Sequence, residues 1–291
     1  MEKERDVIVV GAGPSGATAA ALLAQQGYDV LLLDRMDFPR DKICGDGVPH
    51  GVISMMNRLG MADKIRAAEE QGEINPLNQV RLVSPKGHTI DAPLTIGEDG
   101  AKSYVAPRLV LDAAIQQQAV ESGVTFRQAQ AQGPLLADGK VVGVQAKVGS
   151  NGSTKIVDFP AKLVIGADGV TSAIARSLRP KQAQHNDEHR AVALRAYIED
   201  IEEIPHTAEF YLYEEINPGY AWIFSLGNNR ANIGLGMRLD HFRQTKTKLE
   251  TMLHQFMEMP TIKKRLKNGG KLHDIATWRS ILALKRDAIC L

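Results

Sequence analysis

Six residues near the amino terminus, Gly11-Ala12-Gly13-Pro14-Ser15-Gly16, follow a G-x-G-x-x-G pattern. In such a pattern Gly11 permits a tight turn, Gly13 lets a pyrophosphate approach the backbone, and Gly16 lets a helix pack closely on a sheet. Asp34 follows about 20 residues later, where a carboxylate can accept hydrogen bonds from ribose hydroxyls. The same carboxylate would repel a ribose 2′-phosphate, which argues against NADP in this site. We predict a dinucleotide site, with an ordinary glycine-rich turn as the alternative. The predicted binding residues of this stretch are Gly11, Gly13, Pro14, Ser15, Gly16 and Asp34.

Secondary-structure elements of alternating type must position these residues. Residues 6–10 are an apolar run typical of a buried strand, residues 17–26 are rich in Ala and Leu and predict a helix, and residues 28–33 form a second apolar run. Pro14 suits the first helical turn, where its missing N–H costs nothing. The free N–H groups of that turn and the helix dipole predict an anion site.

The loop after Asp34 is polar, and it is basic at Arg35, Arg40 and Lys42. Beside a dinucleotide, such side chains would meet phosphate or the ends of the adenosine. A solvated surface loop explains the same composition, so this loop alone leaves both interpretations open.

The bulk composition excludes several classes of protein. The chain has 291 residues, is 44% hydrophobic and 24% charged, and carries a net charge of +1. These values are ordinary for a globular protein, and they give no electrostatic field for binding nucleic acid. The sequence contains no apolar run long enough for a transmembrane helix, and the first strand starts too early for a signal peptide. The two cysteines, Cys44 and Cys290, predict no disulfide framework, so we expect a cytoplasmic protein.

The histidines do not predict a metal site. His185 and His189 are four residues apart, but they lie in a polar segment without cysteine, and we interpret them as solvated. From about residue 181 the sequence changes to strand-like runs, which predict an antiparallel sheet able to cover a cavity on one face. Residues 241–257 and 261–267 then predict two helices.

Three separated segments together resemble one family. They are GAGPSG with Asp34-Arg35, the stretch Pro39–Gly47 that looks like PR-x-K-x-CG-x-G, and the stretch Gly166–Ser172 that is similar to GADG-x-x-S. The chain resembles FAD-dependent oxidoreductases of the p-hydroxybenzoate-hydroxylase fold, and more closely the geranylgeranyl reductase branch. The resemblance implies an α/β fold, with a Rossmann-like FAD-binding domain over residues 1–180, a small β insertion near residues 76–106, and an antiparallel-sheet substrate domain over residues 181–291.

The resemblance also implies roles for individual residues. Asp168 and Gly169 would turn near the pyrophosphate, and Arg108 would meet the FAD phosphates. Cys44 would lie beside the flavin, with a small buried side chain in a glycine turn as the alternative. The further cofactor-binding residues implied in this way are Arg35, Arg40, Cys44, Gly45, Arg108, Asp168 and Gly169.

A fourth segment selects the branch. Tyr220, Trp222 and Phe224 resemble the Y-x-W-x-F-P run that lines the substrate tunnel of geranylgeranyl reductases, although Ser225 replaces the proline. Alternation places the three rings on one face of a strand. Such a face suits an isoprenoid chain, which offers only apolar surface and π bonds. Packing of the three rings in an ordinary core is the alternative.

The implied activity is reduction of a C=C bond in a prenyl lipid or prenyl diphosphate, with FAD as cofactor and NADPH or NADH as electron donor. Tyr220 and Cys44 are the candidate catalytic residues. A flavin monooxygenase or halogenase of the same fold is one alternative, and a nucleotide-binding fragment without activity is another.

The family's third flavin motif, G-D-A-A-G, is expected beyond Leu291, so we expect this chain to be incomplete at its C-terminus. Residues 263–267 form a basic helix end that could touch an anionic membrane, with a solvated helix face as the alternative. The sequence leaves the oligomeric state open.

Overall fold

The structure is a computed structural model that describes residues 2–149, 154–179 and 187–281. The strands of these residues are, in chain order, β1 (Arg5–Val10), β2 (Val30–Asp34), β3 (Gly47–Val48), β4 (Asn75–Leu77), β5 (Gln79–Val83), β6 (Thr89–Pro93), β7 (Ser103–Val105), β8 (Thr125–Gln128), β9 (Gln130–Ala137), β10 (Lys140–Val148), β11 (Lys155–Gly166), β12 (Arg190–Ile201), β13 (Thr207–Tyr211), β14 (Gly219–Gly227), β15 (Arg230–Arg238) and β16 (Leu266–Ile281). The helices are α1 (Pro14–Gln25), α2 (His50–Arg58), α3 (Ala62–Glu70), α4 (Arg108–Glu121), α5 (Ala173–Leu178), α6 (Leu239–Phe242), α7 (Leu249–Glu258) and α8 (Pro260–Lys263).

The described chain divides into two units, of which the first comprises residues 2–41, 109–149 and 154–179. Its six-stranded sheet has the order β8-β2-β1-β11-β10-β9. β1 runs parallel to β2 and to β11, and β8 runs parallel to β2. The strands β1 and β2 are buried along most of their length, as expected for parallel strands, and Ile8, Leu33 and Phe159 belong to one core cluster.

The second unit comprises residues 42–108 and 187–281. A seven-stranded sheet has the order β16-β12-β15-β14-β13-β5-β6, and a small sheet has the order β3-β7-β4. One face of the large sheet packs against α7, where Ile223 and Phe256 lie in the same core cluster. The other face carries Trp222 and Phe224, which cluster with Val105 of β7. Neighbouring residues of β14 thus serve opposite faces, as the two-residue period of a strand requires.

The architecture confirms the predicted fold class, but the contacts group the residues differently from the predicted division near residue 180. Residues 42–108 belong to the second unit, because β5 pairs in parallel with β13 and thereby joins the large sheet.

Two predicted helices near the carboxyl end are corrected. Residues 241–257 were expected to form one helix, but α6 and α7 are separate, and the Thr247 N–H donates to the Thr245 hydroxyl between them. A threonine side chain that bonds locally competes with helical hydrogen bonds. The predicted basic helix end at residues 263–267 is also wrong, since α8 ends at Lys263 and β16 begins at Leu266. No helix in the described part of the chain has the length and apolar character needed to cross a membrane.

A buried ion pair ties β13 to the segment between α8 and β16. The Arg265 guanidinium donates to both carboxylate oxygens of Glu209, at 2.9 and 2.8 Å, and the Tyr211 hydroxyl donates to Glu209 at 2.7 Å. Burial tends to lower the pKa of Arg265, but the hydrogen bonds to Glu209 outweigh it and raise the pKa above its ordinary value. Glu209 is almost fully buried, so its charge depends on this partner.

Substituting Arg265→Met should lower the free energy of unfolding by about 3–5 kcal/mol, because Glu209 is left as a buried charge without its cation. Lys263→Met removes the exposed pair of Lys263 with Glu258 and should leave stability nearly unchanged. Urea unfolding of both variants measures the difference. Equal stabilities of the two variants would show that Glu209 does not depend on Arg265.

Candidate functional site

The glycine turn of the first unit joins β1 to α1 by contacts that exclude side chains. Gly11 has φ of +100°, and a Cβ there would lie 2.4 Å from the Ala167 carbonyl oxygen. A Cβ at Gly16 would lie 1.8 Å from the carbonyl oxygen of Gly11. Both positions therefore require glycine for backbone packing, in agreement with the roles that the spacing predicts.

Gly13 differs from these two glycines, because a Cβ there would meet only the Arg40 Nη2, at 3.9 Å. Gly13 caps α1, Pro14 takes its first position, and the Ala17 N–H donates to the Gly13 carbonyl at 2.9 Å. The first turn of a helix leaves N–H groups without intrahelical partners and carries the positive end of the dipole. The open side of Gly13, at the end of α1 that contains Ser15, is thus a cradle that fits a phosphate group.

Asp34 stands at the end of β2 and is buried beside this turn. Its carboxylate accepts the Ala12 N–H at 2.8 Å and the Met36 N–H at 2.9 Å. A carboxylate has about four acceptor positions, so these two bonds leave capacity for a ribose hydroxyl. Asp34 also holds the glycine turn itself, a role that the sequence analysis did not include.

Arg40 lies between two acids. Its Nη1 donates to Asp112 at 3.0 Å, its Nη2 lies 3.6 Å from Asp34, and the guanidinium stacks on the Phe38 ring. Only 10% of the Arg40 side chain is exposed, so the solvated-loop interpretation is wrong for Arg40, whereas Arg35 is exposed. A guanidinium has five N–H donors, and those not used by the acids can meet a phosphate near Gly13. The sequence analysis missed Asp112, which is a fully buried acid on α4.

The second glycine motif lies at the same edge of the sheet as the first. The Ala167 N–H donates to the Val10 carbonyl at 2.7 Å, since β1 and β11 are parallel and end side by side. The Asp168 carboxylate accepts the Ser172 hydroxyl and, at 2.6 Å, the Ala173 N–H. Asp168 thus caps the turn that contains Gly169, and no described contact directs its carboxylate elsewhere.

In the second unit, Tyr220, Trp222 and Phe224 lie on one face of β14, as predicted, and we call them the aromatic wall. Neighbouring ring centroids of the wall are 6.0 and 6.1 Å apart. Phe210 of β13 adds a fourth ring, 5.4 Å from Tyr220 and 5.1 Å from Phe224. Trp222 and Phe224 are 4% and 8% exposed and pack in a core cluster, whereas Tyr220 is 45% exposed.

Residues Cys44–Gly47, which we call the Cys44 turn, pack against this wall. A Cβ at Gly45 would lie 3.5 Å from atoms of both Trp222 and Phe224, and a Cβ at Gly47 would lie 3.4 Å from Phe224. Partial burial raises the pKa of the Tyr220 hydroxyl, and Cys44 raises it further. The structure therefore brings Cys44, Gly45 and the aromatic wall together within the second unit.

The sequence analysis missed Asn232, which joins the Cys44 turn to the wall. Its Oδ1 accepts the Trp222 indole N–H at 2.7 Å, and its Nδ2 donates to Asp46 at 2.8 Å and to the Cys44 carbonyl at 3.2 Å. The Trp222 ring also lies on Gly234, where a Cβ would be 2.3 Å from Cζ2. The sequence signal that could have identified Asn232 is its position as a polar residue inside the otherwise apolar run of β15.

The departure from the family pattern at Ser225 has a structural role. Its hydroxyl donates to Glu203 at 2.6 Å, and Asn75 donates to its carbonyl at 2.9 Å. Ser225 therefore connects β14 to β4, and it is buried.

Two remaining predictions concern Arg108 and metals. Arg108 is the first residue of α4 and is buried, and no described contact tests its predicted bond to phosphate. Within the described ranges, no group of His, Cys, Asp and Glu side chains could hold a metal ion.

Comparisons with known proteins show the family of this chain. The FAD binding domain family matches residues 4–268. Menaquinone reductase of Mycolicibacterium smegmatis is 30% identical over 273 residues, covering 89% of this chain and 61% of that protein. Digeranylgeranylglycerophospholipid reductase of Methanocella arvoryzae is 30% identical over 252 residues, covering 84% of this chain and 59% of that protein. The chain thus spans about three fifths of the length of these curated relatives.

Solved structures give the same relationship. A geranylgeranyl bacteriochlorophyll reductase-like protein of Thermoplasma acidophilum superposes with a TM-score of 0.81 at 26% identity, covering 97% of this chain and 68% of that one. The myxobacterial halogenase CndH has a TM-score of 0.79 at 20% identity, covering 96% and 64%, which shows the fold alone. The predicted fold and the predicted resemblance to geranylgeranyl reductases are confirmed, and the chain belongs to the FAD binding domain family.

Proposed function

We propose that this chain belongs to a flavin-dependent reductase that saturates C=C bonds of a prenyl lipid or prenyl diphosphate, and that it supplies residues for both the cofactor and the substrate. The observation that carries the proposal is the packing of the Cys44 turn on the aromatic wall, in a chain whose relatives include prenyl-lipid reductases. An apolar, ring-lined surface suits an isoprenoid chain, and the flanking thiol and phenol provide acidic protons.

FAD would be held by the residues around the glycine turn. The open side of Gly13 and the first turn of α1 would receive the pyrophosphate, and Asp34 would accept a ribose hydroxyl. Arg40, and by family resemblance Arg35, Arg108, Asp168 and Gly169, would complete the contacts. When bound, FAD supplies the hydride chemistry that an isolated alkene requires. NADPH or NADH is the proposed source of electrons.

Saturation of an alkene also needs a proton at the second carbon. A tyrosine phenol has an ordinary pKa of about 10, and partial burial raises that of Tyr220, so the hydroxyl is protonated at neutral pH and has a proton to donate. Its partial exposure distinguishes it from Trp222 and Phe224, whose roles in the proposal are apolar contact. Cys44 is the second candidate donor, because its half-buried thiol lies on the turn that packs against the wall.

We place this reductase in the cytoplasm, where it would meet its lipid substrate at the membrane surface. Lys263 pairs with Glu258, and Arg265 is buried against Glu209. Lys264 and Lys267 are exposed, and they are the basic side chains of this segment that we assign to contact with anionic lipid.

Gly13→Ala tests the cofactor site. Its φ of −70° and open surroundings accept a methyl group without strain, so the unliganded fold should keep its stability. The methyl group should nevertheless occupy the phosphate position and raise the Kd for FAD by about tenfold or more, which corresponds to about 1.4 kcal/mol. Titration of the purified chain with FAD, followed by flavin absorbance, measures this change.

Gly51→Ala is the matched control, because Gly51 also has open space around its Cβ position but lies on α2. It should bind FAD as the unmodified chain does. Equal affinity of the two variants would reject the glycine turn as the phosphate site. A chain that takes up no FAD at all would favour a fragment without activity of its own.

Tyr220→Phe tests the proton donor. The ring and its contacts are kept, and only the hydroxyl is lost, so kcat for prenyl reduction should fall by about 100-fold or more while KM changes little. The assay is anaerobic reduction of geranylgeranyl diphosphate or a geranylgeranylated phospholipid, with product mass as the readout. Each reduced double bond adds two hydrogen atoms.

Tyr213→Phe is the control for this substitution, since Tyr213 also has a buried hydroxyl with a raised pKa but stacks on Phe256 at the opposite face of the sheet. Its kcat should equal that of the unmodified enzyme. An unchanged kcat for Tyr220→Phe would exclude Tyr220 as the donor. A product that forms only with oxygen would favour a monooxygenase or halogenase instead.

A further inference from the structure

Asn232 is a fully buried amide in the middle of β15, and its polar atoms reach two different parts of the second unit. The carbonyl oxygen serves Trp222 of the aromatic wall, and the amino group serves Asp46 and Cys44 of the Cys44 turn. A primary amide offers two N–H donors and one acceptor oxygen, and here both N–H donors and the oxygen are directed at these two structures. The Asn232 side chain therefore connects the Cys44 turn to the aromatic wall by hydrogen bonds.

Asp46 fastens the turn at further points. Its carboxylate also accepts the Tyr197 hydroxyl of β12 at 2.6 Å, and its carbonyl accepts the Ala106 N–H at 2.9 Å. Its φ of +61° lies in the left-handed region, which aspartate and asparagine tolerate better than most residues. The turn is thus tied to two strands of the large sheet and to the end of β7.

These bonds determine the distance between the Cys44 turn and the rings. The Trp222 indole is held at its N–H edge by Asn232 and rests on Gly234, so it has a single supported orientation. The Cys44 carbonyl is held by the same amide, which fixes the backbone that carries the thiol. A change at Asn232 would therefore move the thiol and the indole together.

We propose that Asn232 and Asp46 are positioning residues that hold the Cys44 turn against the aromatic wall and thereby set the orientation of the Cys44 thiol toward a prenyl substrate. This inference rests on the proposed function for the identity of that substrate. Burying an amide and a carboxylate gives little net stability compared with apolar side chains of similar shape, but directional hydrogen bonds between them fix one geometry. A positioning role explains why polar groups stand at this place in an apolar sheet.

The experiment uses a background of Trp278→Phe and Cys290→Ser, which leaves Trp222 as the single tryptophan and Cys44 as the single cysteine. In this background Asn232→Leu should shift the emission maximum of Trp222 and speed alkylation of Cys44 by iodoacetamide by about tenfold, the equivalent of about 1.4 kcal/mol and of one buried hydrogen bond. KM for a geranylgeranyl substrate should rise by a similar factor.

The conservative variant Asp46→Asn keeps an acceptor for Asn232 and Tyr197 and tolerates the positive φ, so all three readouts should stay near those of the background protein. Asp46→Gly removes the acceptor and also accepts the positive φ, so it should behave like Asn232→Leu. Arg265→Met controls for loss of stability alone, because it acts on the opposite face of the sheet. It should lower the melting temperature without changing Trp222 emission or Cys44 alkylation.

The inference is overturned if Asn232→Leu lowers the melting temperature as Arg265→Met does but leaves emission, alkylation and KM unchanged. It is also overturned if Asp46→Asn and Asp46→Gly are equally impaired, since the acceptor oxygen would then not be what matters. If the background protein reduces no prenyl alkene, the proposed function fails. Emission and alkylation, which need no substrate, still decide the positioning role.

Discussion

The contact between the backbones of Gly11 and Ala167 determines where the groups of the dinucleotide site lie. It can form because β1 and β11 are parallel neighbours that end at the same edge of the sheet. It also requires that Gly11 has no Cβ, because a Cβ there would collide with the Ala167 carbonyl. Helix α1 starts from this contact and packs its Gly16 against the Gly11 carbonyl. Asp34, on the next parallel strand, then reaches the Ala12 N–H. The phosphate cradle is thus a consequence of parallel strand order and of two absent Cβ atoms.

The second unit meets a different constraint, which is to hold large rings in fixed positions on a half-covered sheet. The rings of the aromatic wall meet one another and Phe210 in edge and tilted contacts, which fix the orientation of a ring less sharply than a hydrogen bond does. Directional bonds remove that freedom where they occur. Trp222 is held by Asn232, and Ser225, three residues further along β14, bonds to Glu203 and Asn75. Tyr220 differs from both in being half exposed, as the proposed proton donor must be to meet a substrate.

The fold class and the glycine turn could be predicted from the sequence because their signals are local. A strand, a glycine turn, a helix and a second strand follow one another without interruption, and so do the alternating rings of β14. The partners of these residues are distant in sequence: Arg40 and Asp112 are 72 positions apart, and Asn232 and Cys44 are 188 apart. No spacing rule connects such pairs. The place of residues 42–108 was hidden for the same reason, since it follows from the pairing of β5 with β13. The division of one predicted helix into α6 and α7 coincides with a local bond to the Thr245 side chain, which competes with helical hydrogen bonds and leaves no periodic signal in the sequence.

A prenyl chain explains why a polar network would support an apolar wall. Such a chain offers no hydrogen-bond donor or acceptor, so an enzyme cannot hold it in register by direct polar contacts, and one methylene group more or less changes binding by only about 1–3 kcal/mol. Discrimination between double bonds must then come from the shape of the surface. A shape made only of apolar packing would relax around different chains, because volume-conserving rearrangements of apolar side chains cost little. The bonds from Asn232 to Trp222, Asp46 and Cys44 give that shape a fixed reference within the protein itself. The polar groups that a hydrocarbon substrate cannot contact are therefore the groups that can make its position unique.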